Sequence, residues 1–459
     1  MKSIFIFVFV LLTTCSYAQT DKIKRIDSLL QAANQRGIFN GNALVAQKGK
    51  IIYLSSFGYA DATKSKMLTP TMRFDIGSIS KEFNGVSIMI LKERGKLTLE
   101  DKVSKYVTFL PSWADKIQIK HLIQYTSGLP ASNASSEEEV RTFLTQLPKL
   151  EFEPGTAFIY SYLNVYLQRW IIEKISRLNY TEFVKKYIFK PCKMSQTVID
   201  AYTIDVTTAR PFDNNFVEPA NFTQSLTGWL RLPIEDLYRW TTCLHSYQLI
   251  SETSFKELAE SFGDNETSLG STEFENQQLT WHQHHGSNFN YEALMSCNVK
   301  EDITIILMTN NQNFKVYPLK DAIHAILHDK PYSLPKKSVY LDLREKVLKD
   351  FEQGLAFYRH IRETQQDIYD FSFEIGDLIS TGKYLMRRQK FDEAIRIFQL
   401  SLLLNGKSED TSYNYELTGE CYMRKGLPQM AILFYTKAAE TNPQNKNAQG
   451  MRDKLLSQL

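Results

Sequence analysis

The stretch FDIGSISKEF, Phe74 to Phe83, places a glycine, two serines and a lysine within five positions, Gly77 to Lys81. Ser78-Ile79-Ser80-Lys81 has the form S-x-x-K. On a helix, residues three apart share a face, so Lys81 can reach the Ser78 hydroxyl, whereas Ser80 points elsewhere. A lysine serves as base to a hydroxyl only if burial or a nearby cation keeps it neutral. The bland alternative for Ser78 is a helix N-cap, a common job for serine after glycine. A reciprocal capping box would want Glu or Gln at position 81, and lysine stands there. The motif recurs at Ser333–Lys336 and Ser380–Lys383, so its surroundings have to decide what it means.

Outward from this stretch, strand-like and helical segments alternate between Lys22 and about Asp329. Asn42 to Ala60 reads as two β-rich runs around a Lys-Gly-Lys turn, and Glu292 to Asn310 as a second hairpin turning at Lys300 to Asp302. Helical segments such as VSIMILKERG and VYLQRWIIEKIS lie between them. Strands at both ends with helices between predict one α/β unit whose sheet is closed by both termini of the domain. PYSLPKK, 331 to 337, carries two prolines and marks a linker. From Val339 onward the pattern is helical. Tyr415, Gly419, Tyr422, Ala431, Tyr435, Ala438 and Pro443 occupy the spaced positions of a tetratricopeptide unit, and Gly382, Ala394 and Phe398 repeat the spacing upstream. Two units are too few to stand alone, so flanking helices should cap them.

The order of GYADATKSKMLTPTMRFDIGSISKEF, LKERGKLTLEDKVSKYV, IKHLIQYTSGLP, EPGTAFIYS, IIEKIS and GWLRLPIEDL resembles the serine β-lactamase and penicillin-binding protein superfamily. The resemblance is to its class C-like branch, with D-amino-acid peptidases and esterases, and runs from about Asn40 to Asn310. It implies a β-lactamase-like α/β fold, an antiparallel sheet flanked by helices with a helical subdomain, followed here by an all-α tetratricopeptide-like domain. It makes Ser78 the nucleophile and Lys81 its proton partner. The family's second element is Y-x-N. Register from Pro154-Gly155 and from Ile171-Ile172-Glu173 puts Tyr160 at the tyrosine and Tyr162 at the asparagine position; the literal triplet Tyr162-Leu163-Asn164 needs a two-residue shift. Loss of that asparagine turns the expectation from β-lactams toward a peptidase or esterase. The third element, H-x-G, is His284-His285-Gly286, with Ser287, Asn290 and Tyr291 where the family has Gly, Gly and Phe. The resemblance implies that His284 faces the site, that Gly286 admits the substrate, and that the backbone N–H groups of Ser78 and Ser287 form an oxyanion hole.

The first residues, MKSIFIFVFVLLTTCSYAQT, combine Lys2, a short apolar run and a small-x-small pattern at Ser16-Tyr17-Ala18, which reads as a removed signal peptide. A lipoprotein reading through Cys15 is disfavoured by Thr14 before it. The run is too short to span a bilayer, so no integral span is expected after cleavage, and the location is periplasmic or secreted. The domain expectations are 1–18 signal peptide, 19–330 hydrolase-like, 331–345 linker and 346–459 helical repeats. A net charge of +3 on 459 residues gives no argument for nucleic acid. Cys192, Cys243, Cys297 and Cys421 form no short spacing, so they imply neither a zinc site nor a dense disulfide framework. His282, His284 and His285 have no adjacent carboxylate or cysteine to complete a metal set, and neither metal nor cofactor is expected. The expected partners are a small-molecule or peptide substrate and a protein at the repeats. The competing expectation is a non-catalytic scaffold with a degenerate hydrolase domain.

Overall fold

Leu44 and Ala46 are buried on one side of the first strand, Ala43 and Val45 on the other, the period-two alternation of a strand covered on both faces. The computed structural model describes residues 2–132, 134, 136–199, 205–220, 229–404 and 406–458, with side chains from Gln19 onward. The expected leader, 1–18, therefore has its side chains outside the described residues. The chain forms two compact units, Met1–Pro335 and Lys336–Leu459.

In the first unit, β1 (Gly41–Gln47) and β2 (Lys50–Phe57) form the first hairpin, turning at Lys48 and Gly49, both at positive φ. β3 (Phe74–Asp75), β4 (Val198–Ile199) and β5 (Leu230–Leu232) make a small sheet in the order β3-β5-β4. β6 (Ser271–Glu275), β7 (Gln278–Asn288), β8 (Tyr291–Asn298) and β9 (Ile303–Thr309) complete the main sheet. Its order is β2-β1-β9-β8-β7-β6, antiparallel throughout, with β1 paired to β9. The sheet is thus closed by strands from both ends of the unit. α1 (Lys2–Gln35) and α9 (Val316–Leu327) cover one face, through Leu29, Leu30, Leu319 and Ile323.

The other face meets α2 (Ser80–Glu93), buried from Ser80 to Leu91. A helix covered on every side is fixed in rotation by packing, which suits it to carry catalytic groups. Around it lie α3 (Ile119–Ile123), α4 (Glu137–Gln146), α5 (Leu163–Ser176), α6 (Tyr180–Val184), α7 (Ile234–His245) and α8 (Glu252–Ala259). Ser251 caps α8 by accepting the Ser254 N–H at 3.2 Å. A disulfide joins Cys192 to Cys243 of α7, while Cys297 and Cys421 are free and buried.

The second unit holds β10 (Lys337–Ser338) paired in parallel with β11 (Tyr369–Asp370). Its helices are α10 (Val339–Lys349), α11 (Phe351–Thr364), α12 (Glu374–Met386), α13 (Phe391–Leu402), α14 (Ser408–Arg424), α15 (Pro428–Thr441) and α16 (Lys446–Leu456). The linker expected over 331–345 is irregular only through residue 336. α10 starts at Val339 because Val339, Leu343 and Val347 share a helical face in this unit's core. A Cβ on Gly382 would run into the Phe398 ring, and one on Gly419 would lie 3.1 Å from Tyr435. α12 and α13, and α14 and α15, therefore approach closely at a glycine with an aromatic filling the gap. Among the described residues no helix is long and apolar enough to cross a membrane.

Candidate active site

Ser78 sits in a tight turn, Gly77–Ile79, that runs directly into α2. Its side chain caps neither element; Ile76 and Ile79 hold the N-cap positions and make no side-chain cap bond. Instead the Ser78 Oγ accepts from Lys81 Nζ at 2.8 Å and from the Tyr160 hydroxyl at 2.9 Å. Ser80 has a separate task, accepting the Leu230 N–H at 3.0 Å and tying α2 to β5. Burial holds the Lys81 ammonium at about 7, far below the ordinary lysine value, although the charges of Glu266 and Asp75 pull the other way. The aromatic rings of Trp229 and Tyr160 lie 4.8 Å and 4.9 Å from Lys81 Nζ.

Tyr160 arrives on a loop laid along residues 125 and 126. Gly155 N–H donates to the Thr126 carbonyl at 2.8 Å and Ile159 N–H to the Tyr125 carbonyl at 3.0 Å. Tyr125 holds a left-handed φ of 56°, unusual for a bulky residue, and its ring lies 5.0 Å from that of Tyr160. Loss of water around the phenol and the negative charge of Glu266 raise the Tyr160 pKa, so this hydroxyl stays protonated. Tyr162 turns away and donates to the Ala134 carbonyl at 2.8 Å. Asn164 is fully buried, accepting from Ser127 Oγ at 2.6 Å and donating to the Ser161 carbonyl. The two-residue shift is thus excluded: Tyr160, not Tyr162, meets Ser78.

β7 closes the site from the other side. A Cβ on Gly286 would collide with the Ile76 carbonyl and come within 2.7 Å of Ser78 N; one on Gly77, whose φ is +52°, would strike Ser287 N. Only glycine at both positions lets the turn and the strand meet, which brings the Ser78 and Ser287 backbone N–H groups together. Asp75 clamps this junction, accepting from Gly77 N–H at 2.8 Å and from Asn288 Nδ2 at 3.0 Å. Burial raises the Asp75 pKa, against the charge of Arg231 at 3.9 Å. Asn290 lies in the β7–β8 turn at φ 68°, a conformation asparagine tolerates, so its exchange for glycine is accommodated by the hairpin.

His284 is placed differently from its expected position facing the site. Its Nδ1 lies 2.8 Å from Glu82 Oε1, behind Lys81, and the ring is buried. The inward face of β7 carries His282 and His284 one step apart, so both reach the carboxylate that α2 directs at the sheet. His282 approaches Glu82 at 3.4 Å and bonds the Leu269 carbonyl and His245 at 2.8 Å each. Burial opposes ionisation of Glu82, but the charges and hydrogen bonds of His282 and His284 outweigh it and hold the carboxyl at about 2. Trp240 Nε1 donates to its other oxygen. His285 faces the opposite side, against Glu292 and the Tyr317 ring, so the three histidines do not converge on one point. Asp75 and Glu82 both lie inside the FDIGSISKEF stretch and escaped the sequence reading. The available signal was an acid immediately beside the lysine of a helix otherwise apolar on that side.

A serine at a helix start, a lysine three residues on, a tyrosine from the loop before α5 and a glycine-gated strand meet in one place. Penicillin-binding protein 4* of Bacillus subtilis is 28% identical over 373 residues, 72% of this chain and 80% of that protein. Protein flp of Staphylococcus aureus is 26% identical over 342 residues, 68% of each chain. Among solved structures, FmtA of Staphylococcus aureus superposes with a TM-score of 0.58 at 23% identity, covering 68% of this chain and 91% of that one. The D-amino acid amidase of Ochrobactrum anthropi gives 0.55 at 19% identity, covering 67% and 98%. The Beta-lactamase family matches residues 26–330, two thirds of the sequence, and the chain belongs to that family of serine β-lactamases and penicillin-binding proteins.

Proposed function

We propose that the protein is an exported serine hydrolase that works through an acyl-enzyme on Ser78. The observation that carries this reading is the convergence on Ser78 Oγ of a lysine depressed to about 7 and a tyrosine kept protonated. Neutral Lys81 takes the Ser78 proton as Oγ attacks the substrate carbonyl. The developing oxyanion is held by the backbone N–H groups of Ser78 and Ser287. When the bond to the leaving group breaks, the Tyr160 phenol supplies its proton and is replenished from Lys81. Water then attacks the ester on Ser78, giving its proton back along the same path, and frees the acid. Asp75 and Glu82 position these groups without touching the substrate.

Tyr162 turns aside at the position of the family motif's asparagine, so no side-chain amide from that position grips the substrate, and peptide or ester substrates are favoured over β-lactams. Names such as penicillin-binding protein and D-amino acid amidase among the relatives keep D-configured acyl groups in range. Export is supported by the Cys192–Cys243 disulfide, which belongs to an oxidising compartment. The glycine–aromatic contacts of α12 to α15 support a tetratricopeptide-like reading of residues 346–459 as a module for a protein partner.

Intact-mass spectrometry after exposure to a penicillin and, separately, to a serine-directed phosphonate tests this reading, with Ser78→Ala alongside. A phosphonate adduct on the wild type alone supports the nucleophile, and an added penicilloyl adduct extends the substrate range to β-lactams. Absence of any adduct on folded protein favours the non-catalytic scaffold.

A further inference from the structure

On the sheet face opposite α2, three potential metal ligands come together. His324 lies in the last turn of α9 and His328 closes that helix, four residues on, so both rings project from one side. Glu301 reaches them from the β8–β9 turn. One ligand atom from each residue can be chosen so that all three lie within 4.8 Å of one another. Glu301 Oε2 is 2.8 Å from His328 Nε2 and 3.9 Å from His324 Nε2. Tetrahedral Zn²⁺ with bonds of ~2.0–2.1 Å sets its ligand atoms roughly 3.3 Å apart, between those two separations.

The hydrogen bonds of His328 sharpen the point. Its Nδ1 lies 2.8 Å from the His324 carbonyl, and its Nε2 faces the Glu301 carboxylate. A neutral imidazole carries one N–H, and a carbonyl and a carboxylate both only accept. With Nδ1 turned to the carbonyl, Nε2 is the nitrogen aimed at the carboxylate oxygen, a pairing that either a shared proton or a bound metal ion satisfies. The His324 ring, with its centroid 4.2 Å away, brings a second imidazole to that place. A backbone carbonyl on the far nitrogen is also the outer partner that orients metal-bound histidines. The turn is preorganised: Glu301 N–H donates to Asn298 Oδ1 at 3.1 Å, and Lys48 N–H to the Asp302 carbonyl at 2.9 Å.

We infer that Glu301, His324 and His328 bind a divalent transition-metal ion, Zn²⁺ foremost, through one carboxylate oxygen and two Nε2 atoms. Two imidazoles with one carboxylate suit an ion of intermediate softness, and the fourth position is left to water. The ion would join the β8–β9 turn to the end of α9 and takes no part in the acyl transfer at Ser78. The test is calorimetric titration of tag-free, EDTA-dialysed full-length protein with Zn²⁺. One equivalent should bind, and His324→Ala and Glu301→Gln should each weaken binding tenfold or more. Co²⁺ loading should give the visible absorption of a four-coordinate ion, lost in both variants, with unchanged circular dichroism showing that they fold. No binding to the wild type, or affinity unchanged in both variants, overturns the inference; the cluster is then an imidazolium–carboxylate pair.

Discussion

Lys81 sits where two demands conflict: burial disfavours its charge, and Glu266 and Asp75 favour it. With the balance at about 7, the neutral amine grows as pH rises through that value, so kcat/KM on an ester substrate should climb toward a plateau above it. A pH–rate profile checks this, and a rate independent of pH across neutrality would remove Lys81 as the base. The same shift has a cost in stability. The folded value is lower than the ordinary 10.5, so between about 7 and 10.5 the unfolded chain binds more protons and stability rises with pH. Lys81→Met should flatten that rise and stabilise the fold at neutral pH by on the order of a few kcal/mol, measured by denaturant unfolding across the same window. Spacing made Ser78 with Lys81 legible, and register made Tyr160 so, because both are local properties of the chain. Asp75, Glu82 and Trp229 were not legible, since their meaning comes from Asn288, His284 and Lys81 reaching them across the fold.

β7 is the element on which the site's geometry depends, because it must lie against the Gly77–Ile79 turn with no side chain between. Gly286→Ala would place a methyl against the Ile76 carbonyl and push the strand away, taking the Ser287 N–H with it. Loss of one oxyanion donor costs about 10²–10³ in kcat, and that is the expected drop, with KM changed much less. Steady-state kinetics beside a thermal melt separates it from unfolding; a fully active, folded variant would contradict the close approach. Both hairpins were readable from alternation and turn residues, and the structure turns them at Lys48-Gly49 and between β8 and β9. The expected linker, to 345, runs into α10, because proline marks where a helix cannot run through and the core of the next unit decides where the next one starts. His284 was assigned by its motif to the front of the site, and the carboxylate behind Lys81 draws it back.

In the whole first unit, the Cys192–Cys243 bond closes a loop of 51 residues and ties α7 to the segment following α6. Loop-entropy arguments give such a closure about 4 kcal/mol, so reductant or Cys192→Ser should lower unfolding stability by up to that amount. Equal denaturation midpoints with and without reductant would speak against the bond. Four scattered cysteines carried no sign of which two would pair, because pairing is a property of distance in the finished fold. The largely helical second unit was legible from the pattern after Val339, and its helices approach closely at Gly382 and Gly419.

The pairing of β1 with β9 sets Leu44 opposite Ile306. A ribosome must therefore deliver most of the first unit before its opening strand finds a neighbour on that side. Until then β1 and β2 have only each other, and a lone hairpin is marginal in water. Ser287 is also made late, more than two hundred residues after Ser78. A nascent chain still emerging thus has its serine and lysine but not the strand that completes the oxyanion site. The site cannot be complete before synthesis has passed the last strand, and such sequence-distant pairing makes folding slow.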